Sequence, residues 1–277
     1  LNRHERRAAA AAARQGRAVV DARASTEARQ GGAAVADPLA AAAAELHRRV
    51  AQEAEEVSKH LLGGDSSPTT LGEVVAGALD VAERFARSRP ASPTVLACKK
   101  GCSHCCSRPV STSAPMVLRI ATLLRQDLDR ADFEAVLSRV AALDEKTHGL
   151  PFSLSVRPPT PCALLVDDAC SIHAIRPFVC RAWNSTSEET CKRALKVQGL
   201  PMQIDLFQRT VYSAAEKGMH AALRRKGLDP VDLELTAALR VAMENTDAAE
   251  RWLAGEPIFA GCEAKHDPDD RYHLPTA

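Results

Sequence analysis

Cys98-Lys99-Lys100-Gly101-Cys102-Ser103-His104-Cys105-Cys106 is the stretch on which the reading of this chain turns. Four cysteines in nine residues are too dense to be small core side chains, and thiolates at short spacing are the soft ligands that hold zinc or iron–sulfur clusters. Cys98, Cys102 and Cys105 stand at i, i+4 and i+7, which on a helix puts three sulfurs on one face. Gly101 would relax the backbone so that the sulfurs turn inward, and Lys99 and Lys100 would favour the thiolate form. Outward from this knot, eight of the nine cysteines lie between Cys98 and Cys191, with Cys262 alone beyond them.

A disulfide framework and a metal site compete for such a set. The start of the chain has charge and a run of alanines but no leucine-rich export signal, and no segment approaches the roughly 18 apolar residues of a membrane span. Disulfide scaffolds are also typically small domains without a core, whereas 277 residues can build one. The expectation is a reduced, cytoplasmic protein that binds metal and no membrane.

The composition predicts helices. Fifty residues are Ala and only 4% are aromatic, which disfavours a sandwich or barrel and suits helix. Lys and Arg total 36 against 35 acids, so the whole-molecule basic field expected of a nucleic-acid binder is missing. Residues 1–30 are locally basic, with seven Arg against three acids, and read as a solvated arm. Asp37-Pro38 opens a helix that runs to Leu62 and stops at Gly63-Gly64. A linker around Asp65-Pro68 follows, so the expected division is an arm and helix over 1–66 and a helical cysteine domain over 67–277, with its motif core at 98–191.

Thr70-Leu71-Gly72-Glu73 fits a capping box before apolar positions at helical spacing, and Pro90 and Pro93 end that helix. Further helices are expected from Ser113-Ala114-Pro115, over 129–147, after Ser187, over 201–226, over 229–245 and over 246–253. Between them, Gly149, Pro151, Pro158, Pro159 and Pro161 mark an irregular stretch that carries the second cysteine group. The fold class is therefore mainly α: a helical domain with an irregular, proline-rich, cysteine-bearing insert that forms a metal site.

The second group reads Pro161-Cys162-Ala163-Leu164-Leu165, then Cys170-Ser171-Ile172-His173-Ala174-Ile175-Arg176-Pro177-Phe178-Val179-Cys180-Arg181. Its cysteines are too far apart for one turn, so loops must gather them, and Arg176 and Arg181 could pair with thiolates or a bound anion. Candidate metal ligands are Cys98, Cys102, Cys105, Cys106, Cys162, Cys170 and Cys180, with Cys191 next. Eight thiols suggest two sites or one multinuclear site, because adjacent Cys105 and Cys106 are poorly placed to share one mononuclear ion. Asp167, Asp168, Asp267, Asp269 and Asp270 read as turn residues.

These motifs resemble the YkgJ-type cysteine-cluster family, a zinc- or iron-chelating domain. The resemblance rests on the knot ending in Cys105-Cys106, on Pro161-Cys162-x-x-Leu165, and on the Cys170 to Arg181 run. It covers about 90 residues. The first spacing is three residues rather than two, and His173 stands where Tyr is usual; His173 reads as a supporting or surface group. The resemblance implies chelation of zinc or iron, with an Fe–S cluster as one form, and implies no reaction. A related cluster in a flagellin lysine methylase implies that a protein partner or substrate is conceivable.

Two rivals remain at this stage. Cys98-x3-Cys102-x2-Cys105 is also the spacing of radical S-adenosylmethionine enzymes, although His104 replaces the usual aromatic, the α/β barrel is not visible, and Gly255-Glu256-Pro257 lies far from the knot. The other is an interaction module in which structural zinc folds the loops.

Overall fold

The computed structural model of the protein describes residues 38–64, 66–89, 95–99, 101–152, 160–197 and 200–266. The basic arm, the Asp37 cap, Lys100, Pro90, Pro93, Pro158, Pro159 and the acidic tail from Asp267 lie outside these residues. Residues from Ala42 onward form one compact unit.

The helices are α1 (Pro38–Leu61), α2 (Pro68–Arg87), α3 (Ala114–Asp127), α4 (Arg130–Thr147), α5 (Phe178–Ala182), α6 (Glu188–Lys196), α7 (Leu206–Arg225), α8 (Leu235–Glu244) and α9 (Ala248–Leu253). The protein is mainly α, as the composition requires. Four of the helices start where a side chain accepts from an otherwise orphaned amide. Ser67 Oγ accepts from Thr70 N at α2, Asp129 from Asp132 N at α4, Ser187 from Thr190 N at α6, and Asp205 from Gln208 N at α7. The cap of α2 is thus Ser67-Pro68, one turn earlier than the expected box at Thr70. Helix α7 begins at its Asp205 cap rather than at Pro201.

The segment after Asp229 departs further from expectation. Asp232–Glu234 is a strand, β4, paired antiparallel with β1 (Ser111–Ser113) in the register Ser111 to Glu234, Thr112 to Leu233 and Ser113 to Asp232. The helix starts only after it, with Glu234 Oε2 accepting from Ala237 N at 2.8 Å. A second hairpin pairs β2 (Leu165–Val166) with β3 (Ala169–Cys170). Its turn residues Asp167 and Asp168 have φ of 48° and 58°. Both values are positive, as a two-residue type I′ turn demands, and Asp tolerates this better than most residues.

One core unites α2, α3, α7 and α8, with Val74, Val75, Met116, Ile120, Met219, Leu223 and Leu239 fully or almost fully buried. Val50 and Ala54 bring α1 into it, and Leu62 joins just after its end. At Gly218 the α1 and α7 backbones touch: a Cβ there would lie 2.1 Å from Ala51 O. The cysteine insert is anchored to this body by Leu164, Ile172 and Phe178, the last with no exposed surface. Among the described residues, no helix is long and apolar enough to cross a membrane.

Candidate metal centre

The first cysteine knot is not a helix. Residues 95–99 have no regular secondary structure, Cys102 N donates to Lys99 O at 3.0 Å, and Gly101 takes φ +85°. His104–Ser107 forms a single 3-10 turn. The i, i+4, i+7 spacing therefore works through a tight turn at Gly101 that a side chain would strain, not through one helical face.

All nine cysteines are free thiols. The main chain joins the two groups directly: Cys162 N donates to Cys106 O at 2.7 Å. Ser103 Oγ donates to Asp168 Oδ1 at 2.9 Å, tying the knot to the β2–β3 turn. At the other edge Ser185 N donates to Cys98 Sγ at 3.2 Å.

The thiols fall into two electrostatic neighbourhoods. Burial pushes the Cys98 thiol up; the Ser185 amide partly offsets this, and Cys102, Cys105 and Cys191 add to the rise. The second neighbourhood is deeper. Burial raises Cys162 to about 11, with Cys170 and Cys105 adding to it. Burial likewise raises Cys170, where Arg176 opposes it. Cys180 is pushed far up by burial and by Cys162, Cys105 and Cys170. Cys105 is raised most, first by its hydrogen bond to Cys106 and then by burial. Cys105 raises thiols of both neighbourhoods.

Groups that are costly to ionise individually, because they are buried and crowd one another, favour a bound cation that neutralises several at once. The donor set suits a soft or borderline metal. Among the described residues, no three His, Cys, Asp or Glu side chains already converge tightly enough to hold an ion between them. Cys98, Cys102, Cys105, Cys106, Cys162, Cys170, Cys180 and Cys191 are the residues that could hold one.

The two arginines of the second motif divide their work. Arg181 is structural: Nη1 donates to Glu83 Oε1 at 2.7 Å, Nε to Arg176 O and Nη2 to Ala174 O. It bolts the insert to α2. Arg176 instead acts on the thiols, opposing the rise at Cys105, Cys170 and Cys180. Its Nε is buried without a hydrogen-bond partner. His173 is exposed beside Arg176 and Arg181, which hold its pKa below the usual range.

Spacing alone did not reveal the polar rim. His104 Nε2 lies 3.4 Å from Glu188 Oε1, and Glu188 also meets Lys192 at 2.7 Å and Lys99 at 3.8 Å. Lys99 is therefore engaged by a carboxylate rather than free for the thiols. Glu188 opens α6, where a carboxylate favours the helix dipole; the sequence signal was an acid one turn before Cys191. Burial also pushes the Glu234 carboxyl up, against its bonds to Ala237 and Thr236.

Cys262 is packed in the main core, raised to about 11 by burial and by Asp144, Glu263 and Glu234. Glu256 pairs with Arg251 at 2.7 Å, a surface contact after α9. Among the described residues the strands make two two-stranded sheets, not the α/β barrel that the radical S-adenosylmethionine reading requires.

No curated protein and no solved structure gives a significant match to the chain. Residues 97–197, the knot, the insert and α6 together, match the model of the CxxCxxCC family, described as "Putative zinc- or iron-chelating domain". That is the family the motifs resemble, and the matched stretch holds all the residues that carry the resemblance.

Proposed function

We propose that this is a cytoplasmic protein whose cysteine segment chelates zinc or iron through thiolates from both groups. The ligands in this reading are Cys98, Cys102 and Cys191 on one side, Cys162, Cys170 and Cys180 on the other, and Cys105 with Cys106 between. The observation that carries it is the position of Cys105, whose thiol is an electrostatic neighbour of both sets. A sulfur so placed suits two adjacent ions or one multinuclear cluster. Bound metal would supply the charge that converts these crowded thiols to thiolates, and binding would release their protons. Arg176 would offset the excess negative charge of so many thiolates, and Arg181 would hold the insert in register with α2.

The test is metal content of anaerobically purified full-length protein. Zinc or iron at one equivalent or more is expected, with Cys105→Ser lowering it more than either Cys98→Ser or Cys170→Ser. Iron with acid-labile sulfide would specify a cluster, and stoichiometric zinc without sulfide a structural site. Full metal retention in Cys105→Ser would refute the shared position.

A further inference from the structure

Helix α6 turns one face inward and one face out. Cys191 and Ala194 are buried against Met202 and Trp183. The remaining charge is divided along the helix: Glu188 and Glu189 open it, and Lys192, Arg193 and Lys196 close it. These three cations are exposed.

Local contacts account for part of this charge. Lys192 is engaged by Glu188 at 2.7 Å. Arg108 reaches over from the cysteine knot, and its Nη2 donates to Ala194 O at 3.3 Å, among the last carbonyls of the helix. A helix C-terminus carries roughly half a negative charge, so Arg108 alone offsets it. Arg193 and Lys196 are left over. Among the described residues, no carboxylate pairs with either. Val197, next to Lys196, is 53% exposed. In a chain whose net charge is +1, this end of α6 is a local excess of positive charge with an apolar side chain at its edge.

We propose that this end of α6 docks an acidic segment of a partner protein, with carboxylates on Arg193 and Lys196 and an apolar side chain on Val197. The polarity of the helix favours a protein over a nucleic acid. Glu189 stands one turn before Arg193 and would repel a continuous phosphate chain, whereas a short acidic segment clears it. Cys191 lies on the inner face of the same helix, so a partner held here sits beside the metal centre. That placement rests on the chelation reading above; the docking itself does not.

The test uses the full-length protein as purified anaerobically. The probe is a fluorescein-labelled peptide of glutamates around a central leucine, read by fluorescence anisotropy. Saturable binding is expected, weakening as salt screens the exposed charges, with none for a lysine peptide of equal length and weaker binding of oligothymidylate. Arg193→Glu with Lys196→Glu should weaken the acidic peptide about tenfold or more, since it sets like charges against it. The milder pair Arg193→Gln with Lys196→Gln should fall between and guards against misfolding. Lys146→Glu with Lys226→Glu makes the same change in net charge on exposed positions of other segments, and should leave binding unchanged.

No saturable binding of the acidic peptide, or equal losses in the α6 and control pairs, would overturn the proposal. Tighter binding of oligothymidylate would overturn it in favour of a nucleic acid. Elemental analysis of the same samples separates the two readings. Metal-loaded protein that ignores the peptide sinks the docking alone, and metal-free protein that binds it sinks chelation alone.

Discussion

The helical body and the cysteine insert are held together by different physics. In the body, Val74, Val75, Ile120, Met219 and Leu239 meet one another across helices with essentially no surface left exposed. Among the described residues, the insert buries Ala163, Leu164, Ile172, Phe178 and Ala182 in that core, with Cys162, Cys170 and Ile175 packed partly exposed against it. Otherwise it is tied by single polar contacts, such as Arg139 Nε to Ala163 O at 3.1 Å and the Arg181–Glu83 pair. A body built this way can fold on apolar burial alone. The insert packs less completely, with Cys162, Cys170 and Ile175 only partly buried between its anchors.

The sharpest way to break this comparison is to withhold metal. Metal–thiolate bonds contribute on the order of 10 kcal/mol to small structural sites. Chelation under reducing conditions should therefore raise amide hydrogen exchange across 101–107 and 160–175 while α2 and α7 stay protected. Equal protection of both regions in verified metal-free protein would show that packing already orders the insert. The deep seating of Phe178 and Ile172 limits the effect: α5 should open less than the hairpin at 165–170.

Packing changes should come next. Phe178→Ala removes a fully buried ring and should cost about 4 kcal/mol, with metal content falling because the anchor of the insert is lost. Gly218→Ala forces a methyl group onto Ala51 O and should cost about 3 kcal/mol, read as a lower melting temperature with metal content per folded molecule unchanged. If Gly218→Ala stripped metal as fully as Phe178→Ala, body and insert would be a single cooperative unit.

Much of this division was legible in the sequence. The helix starts expected at Ser113, Asp129 and Ser187 are real, and at Asp129 and Ser187 the cap is a local contact, settled within a turn of the chain. The thiol knot was legible for the same reason. What was not legible depends on distant partners. Asp232–Glu234 reads as helix beside Asp229-Pro230, yet it is a strand because Ser111–Ser113 lies opposite it, about 120 residues earlier. The helical spacing of Cys98, Cys102 and Cys105 misleads because Gly101 takes a conformation the spacing does not encode. His104 with Glu188, and Arg108 with Trp183 and Ala194 O, needed the fold to bring them together. Phe178 was visible as an apolar residue, but its burial in the main core was not.

Smaller effects test the body alone. Burial, with Arg224 nearby, lowers the His220 pKa to about 3 from its ordinary 6.5. The folded state keeps this imidazole neutral while the unfolded chain takes up a proton. Its contribution is full above pH 6.5 and falls as the pH drops from 6.5 toward 3, by up to roughly 1.4 kcal/mol per pH unit. Denaturant melts over this range should show a shallower acid slope in His220→Gln than in the wild type. A slope unchanged by the substitution would assign the acid sensitivity to other groups. Smallest of all, Cys262→Ser puts a hydroxyl in the core and should cost about 1 kcal/mol without changing bound metal. Loss of half the metal would move Cys262 into the centre.

X-ray absorption at the metal edge of the anaerobically purified full-length protein tests the central claim most directly, since it reads the donor atoms themselves. The account predicts a first shell dominated by sulfur, near 2.3 Å if the metal is zinc. A first shell of nitrogen and oxygen alone would contradict it.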